Sequence, residues 1–362
     1  MRLIGEAELE SIAIGSTILG AGGGGDPYVG KLLARAEIRK HGPATMVSLS
    51  EVPDDAQVCF VAGMGAPGVL VEKLPRAENA VRAVRLLERE LNTTITHIAP
   101  AEAGGLNAVV PFSAVSLGLP IVDADGMGRA FPSLELVTPT LHGGAVTPLA
   151  MVDEHGNEMV LRSATNAWAE TMARSFTLAS GCVTMMAIFP MTGRQAKDWL
   201  VPDVLTVADR LGQLLTRTRA EHADTVQAVI DDQAGVLLFE GRVTAVRRVN
   251  ERGWTISEAA ISGTGDFAGQ SMDLRFQNEH LVAIRDGQVV ATVPDLIMAL
   301  EKESGAPIPA EEIRYGYRVS VLGLPCNHQW RTPGGLKVAG PRAFGYDMDF
   351  VPVEEQAAVG VS

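Results

Sequence analysis

An α/β N-terminal domain with a mainly-β C-terminal domain is the architecture this sequence predicts. Residues 1–168 read as a three-layer α/β domain around a mostly parallel sheet, and 169–355 as a helical lead-in followed by a barrel-like set of strands. Three observations predict it. Between residues 45 and 123 short apolar runs alternate with helical stretches, and strand–helix–strand–helix–strand implies parallel pairing through crossovers. From Val236 onward the texture changes to period-two alternation broken by turn residues, the signature of antiparallel strands. The chain's 362 residues are 46% hydrophobic and 20% charged, which supplies two buried cores and excludes disorder for the bulk of it.

Each element follows from its own residues. Leu9, Ile12, Ile14, Ile18 and Leu19 give a helix over 6–19, which runs into the glycine loop at 20–25. Asp26 before Pro27 is the start signal of a second helix, Asp as N-cap and Pro at the first helical position. The run 57–63 (QVCFVAG) is a buried strand, and 77–91 an amphipathic helix with Val81, Val84, Leu87 and Leu91 on one face. A strand over 94–99, a helix opened by Gly104 and Gly105 through Leu117, and a strand over 119–123 complete the parallel unit. A hairpin turns at His155-Gly156-Asn157, and helices at 165–178 and 203–231 flank the apolar run 181–191. In the C-terminal half one short helix, near 294–304, interrupts the strands.

With 43 acidic against 30 basic residues the net charge is −13, which repels phosphate backbones and anionic bilayers. Neither nucleic acid nor a membrane is expected as a partner. Cys59, Cys182 and Cys326 lie far apart and outside any CxxC, so a disulfide framework and a zinc knuckle are not indicated. The apolar run 181–191 is about half of a bilayer span and the N-terminus has no signal-like pattern, so a cytoplasmic protein is expected. Homo-oligomerisation is expected on base rates for a chain of this size.

The excess of glycine, 38 residues, directs attention to a site. Gly20, Gly22 and Gly25 spell G-x-G-x-x-G, but a dinucleotide loop needs a preceding strand and this one follows a helix. Asp26-Pro27 stands where a P-loop needs Lys-Ser/Thr, so no nucleotide is expected. The loop remains either a ligand contact through Gly22, Gly23, Gly24 and Gly25 or a tight helix–helix turn. Ligands of open α/β sheets sit at the carboxyl ends of strands. Three consecutive strand ends carry 63–67 with Gly65, then Glu102 with Gly104, Gly105 and Asn107, then Asp123, Asp125 and Arg129. Parallel pairing brings Glu102, Asp123 and Asp125 to one edge, where mutual repulsion raises one pKa or recruits a cation. The competing reading has the aspartates capping a helix and Glu102 solvated. Arg129 suits a substrate carboxylate or ring carbonyl, and His142, between glycines, is a further candidate. Cys182 as a nucleophile and Cys326 with His328 as a pair are weaker signals, with buried free thiols the commoner case.

Taken together and in order, GAGGGGDPY (20–28), MGAP (64–67), PAEAGGLNA (100–108), VDADGMGRAFP (122–132), VPDLI (293–297) and RYGYRVSV (314–321) resemble the S-methyl thiohydantoin desulfurase family, over about residues 5–350. The resemblance implies an N-terminal α/β sandwich domain and a β-rich C-terminal domain. It also implies hydrolytic loss of methanethiol from an S-methylated thiohydantoin, leaving a hydantoin, and a functional association with a hydantoinase. The alternative is a non-catalytic ligand-binding partner of such an enzyme. Under the catalytic reading Glu102 with Asp123 or Asp125 would act as base and acid. Gly22–Gly25 and Gly104–Gly105 would supply N–H donors and Arg129 would orient the ring. A divalent metal on the aspartates with His142, and covalent attack by Cys182, are the other routes.

Overall fold

A computed structural model describes residues 1–65, 69, 76–251 and 254–355. Among these residues no helix is long and apolar enough to cross a membrane. The chain separates into two compact units that do not follow chain order. The first comprises Met1–Ser16, Gly25–Gly128 and Ser133–Arg210; the second comprises Thr17–Gly24, Arg129–Pro132 and Leu211–Ser362.

The first unit is built on a sheet of nine described strands. They are β1 (Arg2–Ile4), β2 (Ala44–Ser48), β3 (Gln57–Gly65), β4 (His97–Pro100), β5 (Ile121–Asp125), β6 (Leu149–Asp153), β7 (Glu158–Leu161), β8 (Val183–Thr192) and β9 (Val201–Pro202). Their order is β1-β2-β5-β4-β3-β8-β6-β7, with β9 beside β5. Pairing is parallel through β2-β5-β4-β3 and antiparallel on either side, so the expected parallel core is present with antiparallel flanks. Val58, Cys59, Phe60, Val61 and Ala62 of β3 are all buried, which is why the strand is a continuous apolar run rather than an alternating one. Helix α1 (Glu6–Leu19) and helix α2 (Pro27–His41) flank the glycine loop as expected, and Asp26 accepts from the Tyr28 N–H at 2.8 Å as the N-cap. Helix α3 (Ala77–Leu91) buries Ala80, Ala83, Val84 and Leu87 and closes at Asn92 in the left-handed conformation. The hairpin β6–β7 turns where His155-Gly156-Asn157 predicts.

Two segments here differ from expectation. The stretch after Gly104 is not one helix but two 3₁₀ segments, Gly105–Ala108 and Val110–Leu117, because Pro111 removes an N–H donor and Ala114 leaves helical geometry. The helix expected over 203–231 is two, α7 (Val204–Ala220) and α8 (Thr225–Gln233), restarted by Asp224 as a new cap. α4 (Thr138–Leu141), α5 (Asn166–Ala179) and α6 (Gly193–Trp199) precede them. The run 181–191 between the helices is strand β8, hydrogen-bonded to β3 and β6.

The second unit is a curled antiparallel sheet of seven strands: β10 (Val236–Glu251), β11 (Trp254–Gly263), β12 (Ser271–Gln277), β13 (Glu279–Arg285), β14 (Gln288–Thr292), β15 (Leu296–Glu301) and β16 (Arg318–Leu324). The order is β14-β13-β12-β11-β10-β16-β15. A core of Phe239, Val243, Ile261, Leu274, Phe276, Ile297 and Val321 fills its inner face. The helix expected near 294–304 is strand β15. Leu296 through Leu300 are buried on both faces, and a short apolar run of that kind has no period to separate helix from strand.

Candidate functional site

In the first unit the strand ends do gather chemistry. β4 and β5 are parallel neighbours, so the residues that follow them emerge together. Asp125, wholly buried, accepts the Ala103 N–H at 2.6 Å, which ties the segment after β4 to the end of β5. Its other oxygen accepts from the Met127 and Gly128 N–H groups at 3.0 and 2.7 Å, an aspartate-stabilised turn. Burial pushes the Asp125 carboxyl up to about 7 against these hydrogen bonds, with a smaller contribution from the Asp123 charge.

Glu102 is 7% exposed and accepts from Asn107 Nδ2 at 2.7 Å. The same Asn107 grips the end of β3: its Oδ1 accepts the Gly63 N–H at 2.7 Å and its Nδ2 donates to Gly63 O at 3.3 Å. Glu102, Asn107, Gly63 and Asp125 are thereby one connected group at the carboxyl ends of β3, β4 and β5. Gly104 and Gly105 lie in the same loop, Gly105 at a φ of 57° that opens the 3₁₀ turn. Asp123 faces elsewhere. It accepts from the Leu205 N–H at 2.8 Å, the Thr206 N–H at 3.2 Å and the Thr206 hydroxyl, and so caps α7. Burial raises its carboxyl too, opposed by those same bonds.

The remaining expected residues scatter. Gly65 is the last residue of β3, and a Cβ there would lie 2.6 Å from Cys182 O, so the glycine admits the close approach of β8; Ala66 and Pro67 lie outside the described residues. His142 is exposed and its ring stacks on Trp199 at 6.4 Å. Gly25 belongs to the first unit, ahead of Asp26. Among the described residues no three His, Cys, Asp or Glu side chains gather as a metal site, so Asp123, Asp125 and His142 do not form the cation cradle the spacing suggested. Cys326, largely buried, has its thiol pushed far up by burial and then by Asp295, and does not offer a thiolate. A cleft lined by Gln57, Leu91, Thr93, Met191 and Gln195 lies at the opposite end of β3 from Gly63.

In the second unit, which also holds Gly24, Gly22 and Gly23 meet residues that sequence reasoning missed. His280 is wholly buried; its backbone N–H donates to Ala21 O at 2.9 Å and its Nδ1 lies 3.0 Å from Ile297 O. A Cβ on Gly22 would come within 2.4 Å of His280 Nδ1, and one on Gly23 within 2.1 Å of Glu279 Oε1. The loop is glycine at these two places because two buried side chains of β13 press on it. Glu279 and His280 interrupt an otherwise apolar strand (NEHLVAI), and that polar pair is the signal that could have drawn attention to them. Arg129, fully buried, donates to Pro294 O at 2.6 Å, Asp295 O at 2.9 Å and Ala130 O at 3.0 Å, and its guanidinium lies 4.5 Å from the Phe131 ring centroid.

Two family models together match residues 7–353: "S-Me-THD-like, N-terminal domain" over residues 7–163 and "S-Me-THD-like, C-terminal domain" over 164–353. No curated protein matches. A crystal structure of a protein from Chromobacterium violaceum is similar, with a TM-score of 0.82 and 24% identity over 98% of this chain and 100% of that one. That likeness speaks to the fold.

Proposed function

The chain belongs to the S-methyl thiohydantoin desulfurase-like family, and from that premise we propose that it is a hydrolase of a small nitrogen heterocycle, converting an S-methyl thiohydantoin to a hydantoin with release of methanethiol. The observation that carries the reading is the joined group at the ends of β3, β4 and β5, where Glu102 is oriented by a side-chain amide while Asp125 holds the loop backbone at Ala103. In this proposal Glu102 is the base. It takes a proton from water as the water oxygen bonds to the ring carbon bearing sulfur. The C=N electron pair moves to the ring nitrogen, which takes that proton back from Glu102; the hydroxyl proton then passes through Glu102 to the departing thiolate as the C–S bond breaks and the carbonyl forms. In this reading the backbone N–H groups of Gly104 and Gly105 stabilise the developing charge. Asn107 keeps Glu102 pointed at the water, and Asp125 fixes the loop through Ala103. Asp123 adds a nearby negative charge that favours the protonated form of Asp125.

Thiol release from a panel of S-methyl thiohydantoins tests this. Turnover is expected in the wild type, and a fall of about 10²–10⁴-fold in Glu102→Gln with the fold retained. Absence of turnover with the whole panel, alongside stabilisation by the same compounds, would instead favour the ligand-binding reading. Near wild-type rates in Glu102→Gln would remove Glu102 from the mechanism.

A further inference from the structure

The outward side of α5 is apolar where a surface helix ordinarily carries charge. Inward, Ala169, Ala173 and Thr177 are buried, with the helix packed on β3 and β8 and the Thr177 hydroxyl 2.8 Å from that of Thr184. The two charged residues of α5, Glu170 and Arg174, pair with each other, and neither is among its exposed residues. Other helices of the chain differ: α3 exposes Arg85 and Arg89, and α7 exposes Arg210 and Arg217. On α5, Trp168, Met172 and Leu178 are 56%, 44% and 53% exposed. Together they present on the order of 300 Å² of apolar surface, the size at which a patch on a single chain is often a contact surface.

The order of side-chain sizes specifies what covers this face. Trp168, Met172, Ser175 and Ala179, all exposed, follow one another at steps of four, three and four, so they line one seam of the helix. The seam is large at its start and small at its end. Laid antiparallel on a second copy, it sets each Trp168 against the partner's Ala179 and each Met172 against the partner's Ser175, large against small throughout. Parallel pairing would instead stack large on large and leave a gap at the serines and alanines. Charge favours the same occupant. Each copy carries −13, so two chains approach closely only where neither presents charge. With Leu178 and the smaller residues beside the seam, a pair buries roughly 1,200 Å², the lower end of what a specific interface needs. We propose that α5 is the contact of a two-fold symmetric dimer of this chain, two copies packed antiparallel along the seam from Trp168 to Ala179. Such an interface uses the same patch on both copies and closes on itself, so assembly stops at two. The inference does not rest on the proposed reaction.

Sedimentation equilibrium of the full chain between about 1 and 300 µM tests this. The mass is expected to rise from 38.3 kDa toward twice that value, with a Kd of about 1–100 µM for an interface of this size. Trp168→Glu should weaken the dimer at least about 100-fold by removing the largest anchor and placing unpaired charge in the contact. Its circular dichroism and Tm should stay those of the wild type, because the residue is exposed in the single chain. Met172→Glu is the second variant should Trp168→Glu fold poorly. Ser175→Trp separates a fitted seam from general stickiness: it adds apolar surface but fills the room of the partner's Met172, and should weaken the dimer about tenfold or more. Raising salt from about 50 to 500 mM should tighten association, since it screens like charges and breaks no ion pair. A chain still monomeric at the top concentration refutes the dimer and leaves the face to a different protein. A dimer indifferent to both glutamate variants overturns the assignment to α5, and tighter association in Ser175→Trp overturns the antiparallel seam.

Discussion

Gly22→Ala adds one methyl group where the loop meets β13, and its cost can be built from two parts. The residue sits at a φ of 86°, which an alanine adopts at a penalty of about 1–2 kcal/mol. The new Cβ also lies 2.4 Å from His280 Nδ1 and 2.5 Å from Cε1, in a ring held by Ile297 O and a buried backbone, so it cannot swing aside. Overpacking of that kind costs about 1–3 kcal/mol, for a sum of about 2–5 kcal/mol. A mid-range value of about 3 kcal/mol lowers Tm by roughly 4 °C in a chain of this length. Gly287→Ala is the control within the same unit: φ is 80° and nothing lies within 4 Å of its Cβ, so the conformational part alone, about 1–2 kcal/mol, remains. Urea unfolding of both variants and of the Gly22→Ala/His280→Ala double variant separates the two parts, because truncating the ring removes the clash. A Gly22→Ala cost no larger than that of Gly287→Ala, or one that persists in full without the ring, would refute the claim that β13 dictates glycine there.

Asn107→Asp replaces the donor to Gly63 O and Glu102 by a second carboxylate; it should destabilise by about 1–3 kcal/mol in denaturant titrations and depress thiol release. His280→Asn should flatten the acid limb of the stability–pH curve. The folded chain leaves this ring neutral down to about 4 while the unfolded chain protonates it near 6.5, so the group makes stability rise with pH between those values and contributes no slope above them. Urea midpoints across that window read the difference. Cys326→Ala should leave turnover within about threefold of wild type, since burial keeps the thiol protonated; a loss of about 100-fold would place the Cys326 thiol in the mechanism.

What the sequence discloses is local chemistry with a local partner. Asp26-Pro27 starts α2 and His155-Gly156 turns the β6–β7 hairpin because the donor, the acceptor and the fixed φ lie within four residues. The convergence of Glu102 with Asp125 is legible for a different reason, since parallel order alone brings their strand ends together. Leu296–Glu301 misleads because burial on both faces erases its period, and Val110–Leu117 because proline near its start favours the tighter turn. The capping of α7 by Asp123 spans 82 residues and leaves no pattern at either end. His280 is invisible as the partner of Gly22 for the same reason, as is the role of Arg129 in holding the carbonyls of Pro294 and Asp295.

The interleaving of the two units has a consequence for how the molecule can be divided. The chain passes between them five times, at 16/17, 24/25, 128/129, 132/133 and 210/211. A single scission therefore cannot yield either one whole. Cutting at the boundary of the family models, after residue 163, would strip β8 from between β3 and β6 and strip Thr17–Gly24 from the loop's seat on β13. Neither half is a transferable module. Recombination with relatives conserves the fold only where both partners of each long-range contact travel together, so the natural unit of exchange is the full-length chain.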